Sequence, residues 1–237
     1  MKKPQTDHEH KSSGPGKGSF PAGLNAFVDM SHHKTDVDLA RAKDAGLVGL
    51  MHKLTQGTCF VDDRYPERLK QARASGILVG AYHFLTGEDV ETQLDFFLDN
   101  IQTYGQENIV PMIDWEDNPD TAQGSMSLDA LKQFLILFYE KTRIHPVIYG
   151  GYWMLYQLAN ETDPQKILGS SPLWQAFYSR QAGILTDIWD DWTFIQYTDG
   201  TLGPGPHEFT GIGKVDRNCF NGNSSDAKEF WNQNSLK

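Results

Sequence analysis

With 237 residues, 39% of them hydrophobic and 12% aromatic, the chain suits one sizeable core better than two small ones. Its 21 Lys and Arg against 31 Asp and Glu give a formal net charge of -10. That balance argues against a nucleic-acid or anionic-membrane surface held by charge, and suits an uncharged polymer such as a glycan better.

Cys59 and Cys219 are the two cysteines, too few for a disulfide scaffold and too far apart in sequence for a metal knuckle. No apolar run approaches a membrane span, so no membrane insertion is expected. The N-terminus lacks the apolar core of a secretory signal. Action outside the cytoplasm, in the periplasm or cell wall, is therefore expected to follow lysis or a route other than that signal.

Residues 1–20, MKKPQTDHEHKSSGPGKGSF, are polar and rich in Gly, Pro, Ser and Lys, and cannot offset the entropy of ordering them. They are expected to form a disordered tail, with His8 and His10 solvated, ahead of one domain over 21–237. From Leu24 onward, apolar runs of strand length alternate with amphipathic stretches of helical length. The pattern predicts a strand at Leu24–Met30, a short helix over 36–45 closed by Gly46, and a second strand over 47–54. A helix over 62–75 stops at Gly76, a third strand covers 77–84, and Leu94, Phe97, Leu98 and Ile101 follow helical spacing in the next helix. A fourth strand covers 109–116. Ser127 is placed to cap a helix carrying Leu128, Leu131, Leu135 and Phe138, which must end before Pro146. A fifth strand over 146–149 and a short helix over 152–159 follow. Strands over 173–178, 192–197 and 215–220 then occur without intervening helices.

Alternating strands and helices imply a parallel sheet with crossover helices, and eight strands are the number needed to close a barrel. The open doubly wound sheet is the competitor, but no Gly-x-Gly-x-x-Gly turn follows the first strand. The expected fold is α/β, a single irregular (β/α) barrel of TIM type with helices missing in its C-terminal third.

In such a barrel the functional groups gather where strands end. The first strand ends at Asp29, Ser31 and His32, the second near Thr55 and Gln56, the third at Tyr82 and His83, and the fourth at Asp114 and Glu116. The late strands end near Tyr178, Gln196 and Asp216. Side chains alternate along a strand, so Asp114 and Glu116 share a face, roughly 6–7 Å apart, while Trp115 points away. Two chemistries fit this rim. In one, crowded carboxylates keep an acid protonated near neutral pH so that it can donate to a glycosidic oxygen. In the other, less favoured, His32, His83, Asp114 and Asp216 hold a divalent metal. The adjacent rings of His32 and His33 face opposite ways and cannot chelate simply.

The segments 27–32 (FVDMSH), 53–58 (KLTQGT), 79–84 (VGAYHF), 113–116 (IDWE), 146–149 (PVIY), 192–197 and 215–218 (VDRN) occur in an order that resembles the glycoside hydrolase family 25 lysozymes, which are N-acetylmuramidases. The resemblance runs from about Leu24 to Gly222. It implies a barrel with incomplete helices and hydrolysis of the β-1,4 bond between N-acetylmuramic acid and N-acetylglucosamine in peptidoglycan, without metal or cofactor. It implies Glu116 as general acid, Asp114 as stabiliser of charge or of the substrate's acetamido group, and Asp29 and Asp216 as groups that tune the site. Tyr82, His83, Tyr149, Gln196, Ser31 and His32 would line the cleft. Two positions depart from the pattern, His33 for a usual Trp and Gln56 for a usual Glu. A glycan-binding module on the same barrel is the alternative, disfavoured because binding alone does not require clustered acids. A monomer is expected, with peptidoglycan strands as its partner and a secretion apparatus or a cognate inhibitor protein as further candidates.

Overall fold

The computed structural model describes residues 23–104, 108–179 and 186–236; the expected tail over 1–20, with His8 and His10, lies outside them. In chain order the elements are β1 (Leu24–Met30), α1 (Leu39–Asp44), β2 (Gly49–Gln56), β3 (Phe60–Val61), α2 (Tyr65–Ala74), β4 (Leu78–Phe84), α3 (Val90–Thr103) and β5 (Ile109–Asp114). Then come α4 (Leu128–Thr142), β6 (Val147–Gly150), α5 (Tyr152–Gln157), β7 (Leu173–Ala176) and β8 (Phe194–Thr198). The chain finishes with β9 (Glu208–Phe209), β10 (Gly213–Lys214), β11 (Asp216–Phe220) and α6 (Ser224–Asn234). Ser127 caps α4 through its side chain, as its position predicts.

The strands run in the order β1-β11-β8-β7-β6-β5-β4-β2, and pairing of β1 with β2 closes the ring, leaving β3 as an antiparallel appendage of β2. From β1 through β8 the ring neighbours are parallel. β11 is antiparallel to both β8 and β1, a departure from the all-parallel sheet that the alternation predicts. A parallel return needs a crossover to the other end of the barrel. Here the chain leaving Thr198 instead folds into the β9–β10 hairpin and re-enters directly. Asp216 therefore opens β11 rather than closing it, yet stands opposite Asp29 in register and so on the same rim.

Strands buried on both faces explain the unbroken apolar runs. Inward-facing Phe27, Met51, Val110, Met112, Val147, Trp174 and Phe194 fill the barrel. Outward-facing Leu50, Leu54, Ile113 and Ile148 pack under the helices with Leu69, Leu94, Phe97, Phe134 and Phe138. Sequence reasoning did not foresee α6. A reciprocal capping box joins Asn223 and Asp226 at its start. The Trp231 ring stacks on Phe27 at 5.6 Å, and its indole N–H donates to the Val79 carbonyl at 2.9 Å. Val79 lies near the start of its strand, so α6 closes the end of the barrel opposite the acidic rim. Among the described residues no helix is long and apolar enough to cross a membrane.

Candidate active site

Alternation along β5 directs Asp114 into the barrel mouth, and the chain continues past the strand to bring Glu116 to the same side. Asp114 is 8% exposed and one of its carboxyl oxygens, Oδ1, has no hydrogen-bond partner among the described residues. Burial, then the charge of Glu116, raises the Asp114 pKa well above the usual carboxylate range, with the Lys53 ammonium opposing. Burial and the charge of Asp29 raise Glu116 as well, while a hydrogen bond from Asp114 lowers it. Hydrogen-bonded to each other, the two carboxyls titrate as a pair rather than independently. Glu116 is the less buried of the two.

A second carboxylate pair faces the first. Asp29, 6% exposed, accepts from the Gln196 amide at 3.0 and 3.1 Å and from the Asn218 amide at 2.7 Å. Burial raises its pKa and outweighs those hydrogen bonds, which favour the anion. Burial and the charge of Asp29 push Asp216 up to about 9. At neutral pH Asp216 is the protonated partner and donates to Asp29.

Gln196 is almost fully buried, and its amide is spent inside the protein. Its Oε1 accepts from the hydroxyls of Tyr149 at 2.9 Å and Tyr178 at 3.0 Å, while its Nε2 serves Asp29. Asn218 in turn accepts from the Trp174 indole N–H at 2.7 Å. Gln196 thus positions Asp29 and does not present its amide to the cleft as the sequence reading expected. Tyr82 faces the barrel mouth, edge-on to Trp174. Burial, then the surrounding acids with Asp114 first, keeps its phenol neutral, a donor at any ordinary pH.

His83 is not in the cleft. Tyr82 faces inward, so the next residue must face out. Its imidazole is fully buried against Phe97 and Phe134, bonded through Nδ1 to the Thr55 hydroxyl at 2.7 Å, and burial lowers its pKa to about 3. Ser31 and His32 sit in the turn after β1. The backbone N–H and Nδ1 of His32 both contact the buried Asp62 carboxylate, at 2.8 and 3.2 Å, and its ring lies against His33 and Phe60. The four residues of the metal arrangement do not converge, and among the described residues no three His, Cys, Asp or Glu side chains are grouped to hold a metal ion.

Sequence reasoning placed Tyr178 on the rim without giving it a role, and passed over Lys53 and Asn218 as site residues. Lys53 shares the inner face of β2 with Met51, lies 4.9 Å over Phe84 and 5.5 Å over Phe60, and donates to the Gln56 side-chain carbonyl. Burial lowers its pKa, with Asp114 opposing. The alternation Asp216, Asn218, Phe220 along β11 was the available signal for Asn218.

One backbone feature completes the rim. Gly151, at the start of α5, leaves bare main chain beside Glu116: a Cβ there would lie 3.9 Å from the Glu116 carboxylate and 3.6 Å from Ala176.

The family model for glycosyl hydrolases family 25 matches residues 28–205. The chain belongs to that family. The match contains Asp29, Asp114, Glu116 and Gln196 and stops short of Asp216. Among curated relatives, Lysozyme M1 of Streptomyces globisporus is 27% identical over 230 residues, covering 92% of this chain and 73% of its own. The N,O-diacetylmuramidase of Arthroderma benhamiae is 26% identical over 220 residues, 88% of this chain and 87% of its own. The crystal structure of the bacterial lysozyme from Streptomyces coelicolor superposes with a TM-score of 0.74 at 27% identity, over 90% of this chain and 99% of that one. The family 25 protein is accordingly a glycoside hydrolase on an irregular TIM-like barrel.

Proposed function

We propose that this family 25 hydrolase is a muramidase, cleaving the β-1,4 bond between N-acetylmuramic acid and N-acetylglucosamine in peptidoglycan. The carrying observation is the pair of proton-sharing carboxylate couples on one rim, Asp114 with Glu116 and Asp29 with Asp216. Peptidoglycan as substrate draws on the names of the lysozyme and muramidase relatives.

Glu116 passes the proton it shares with Asp114 to the glycosidic oxygen as the bond to the anomeric carbon breaks. The positive charge that develops on the sugar is stabilised by anionic Asp29 and by the Asp114–Glu116 couple once its proton has gone to the leaving group. Water adds to the anomeric carbon and its proton returns to Glu116. Tyr82, kept neutral, offers its hydroxyl toward the bound sugar, the Tyr149 and Tyr178 hydroxyls hold Gln196 on Asp29, and Lys53 holds a positive charge near Asp114.

The test is digestion of purified peptidoglycan by the wild type and by Glu116→Gln, followed by borohydride reduction and mass spectrometry of the new sugar ends. Reduced N-acetylmuramic acid from the wild type alone is expected. Reduced N-acetylglucosamine would refute the bond assignment, and no new ends from peptidoglycan of several chemotypes would move the reading to a binding module.

A further inference from the structure

Tyr152 and Tyr156 are 75% and 79% exposed, the most exposed large apolar side chains among the described residues. They lie four residues apart on α5, so their rings project side by side from one face of the helix. The opposite face is fixed: Met154 is fully buried, and Trp153 meets Trp115 edge-on at 5.1 Å. Trp115 is the residue between Asp114 and Glu116. The two tyrosines therefore stand on a helix clamped to the segment that carries the acids, and the residue before Tyr152 is the Gly151 that borders Glu116.

We propose that Tyr152 and Tyr156 form a stacking platform for sugar rings of the glycan strand, continuing the cleft outward from Glu116 over α5. This rests on the peptidoglycan reading above. Continuity with the acids carries it: Gly151, the residue before Tyr152, sits where a Cβ would lie 3.9 Å from the Glu116 carboxylate and 3.6 Å from Ala176, and the exposed Tyr178 follows Ala176 two residues on. Flat aromatic faces fit the apolar faces of pyranose rings, and phenol hydroxyls at their edges fit sugar hydroxyls. An uncharged platform also suits a chain of net charge -10, because it attracts the strand without relying on opposite charge. Neither ring has a hydrogen-bond or ring partner among the described residues, so each is free to receive one.

The test uses peptide-free glycan strands, made by amidase digestion of peptidoglycan, titrated into the Glu116→Gln protein with and without Tyr152→Ala and Tyr156→Ala. The paired truncation is expected to weaken binding by about tenfold, equivalent to about 1.4 kcal/mol, with Tyr→Phe at both positions retaining most of it. In the otherwise native protein the same pair is expected to raise KM on long strands while kcat is kept. Unchanged binding and KM in a protein that releases reducing ends would overturn the platform and leave the hydrolase standing. Weakened binding in a protein that releases none would leave the platform standing and remove the hydrolase. A loss seen only with peptide-bearing strands would show that the tyrosines meet the stem peptide, and would overturn the sugar contact.

Discussion

Asp29 and Asp216 stand opposite each other in the register of β1 and β11, and one carboxyl keeps its proton to serve the other. Asp216, raised to about 9 chiefly by burial, binds a proton in the folded protein that the unfolded chain gives up above about pH 4. The folded state thus binds more protons than the unfolded state across that interval, and stability falls as pH rises from about 4 to about 9. Asp216→Asn keeps a donor for Asp29 and removes the titration. Melting temperatures at pH 4, 7 and 9 should show the variant gaining on the wild type as pH rises. Parallel curves would remove Asp216 from the proton balance.

Gln56 sets the second expectation. Lys53 donates to a neutral amide and keeps its full charge near Asp114, where it lowers that group's affinity for a proton. Gln56→Glu pairs the ammonium with a carboxylate and weakens its field on Asp114. The Asp114–Glu116 couple then holds its proton to higher pH. In a pH profile of kcat/KM the alkaline limb should move upward; a limb that stays or moves to lower pH would sink the assignment of Lys53 as the group that tunes the couple.

How much of this could be foreseen differs from residue to residue, and the difference is local against non-local information. Asp114 and Glu116 are two apart on one strand, so alternation alone places them together. Tyr82 and His83 are adjacent, so both could not face the cleft, and the parity of the strand already required one to turn outward. Gln196 is different, because its partners Asp29, Tyr149 and Tyr178 come from β1, β6 and the loop after β7, and no local pattern records that meeting. The reversed direction of β11 depends on a return loop of 17 residues, 199 to 215, whose only clue is the lack of a helical stretch. Helix α6 had its Asn223 and Asp226 capping signal in plain view, but its apolar face is short, made by Ala227, Phe230 and Trp231.

Trp231 carries that face. Its ring stacks on Phe27 and meets Phe194 edge-on, and its N–H satisfies the Val79 carbonyl. Trp231→Ala should cost about 3–5 kcal/mol, as large-to-small changes in a packed core do, read from urea denaturation. Trp231→Phe should cost less, about 1–3 kcal/mol, with the carbonyl left unpaired as the main loss. Because α6 closes the end remote from the acids, kcat of the folded protein should be unchanged in both variants. A lowered kcat would mean that the barrel transmits packing changes from one end to the other.

Gln196 offers the sharpest division between positioning and packing. Gln196→Leu fills a similar volume but deprives Asp29 of its two amide contacts and leaves the Tyr149 and Tyr178 hydroxyls without their acceptor. Unfolding should become easier by about 2–4 kcal/mol, the loss expected when buried polar groups go unpaired. Asp29 loses donors that favour its anion, so its pKa rises further and a larger fraction is neutral at the working pH. The charge that raises Glu116 is then weaker, and the alkaline limb of the pH profile should move downward while kcat falls by about 10²-fold and KM changes little. A purely structural role predicts lower stability with the pH profile unmoved. Tyr149→Phe and Tyr178→Phe each remove one donor to the same oxygen and should cost about 1 kcal/mol apiece. Combined with Gln196→Leu they should add little, since the bond they would break is already gone.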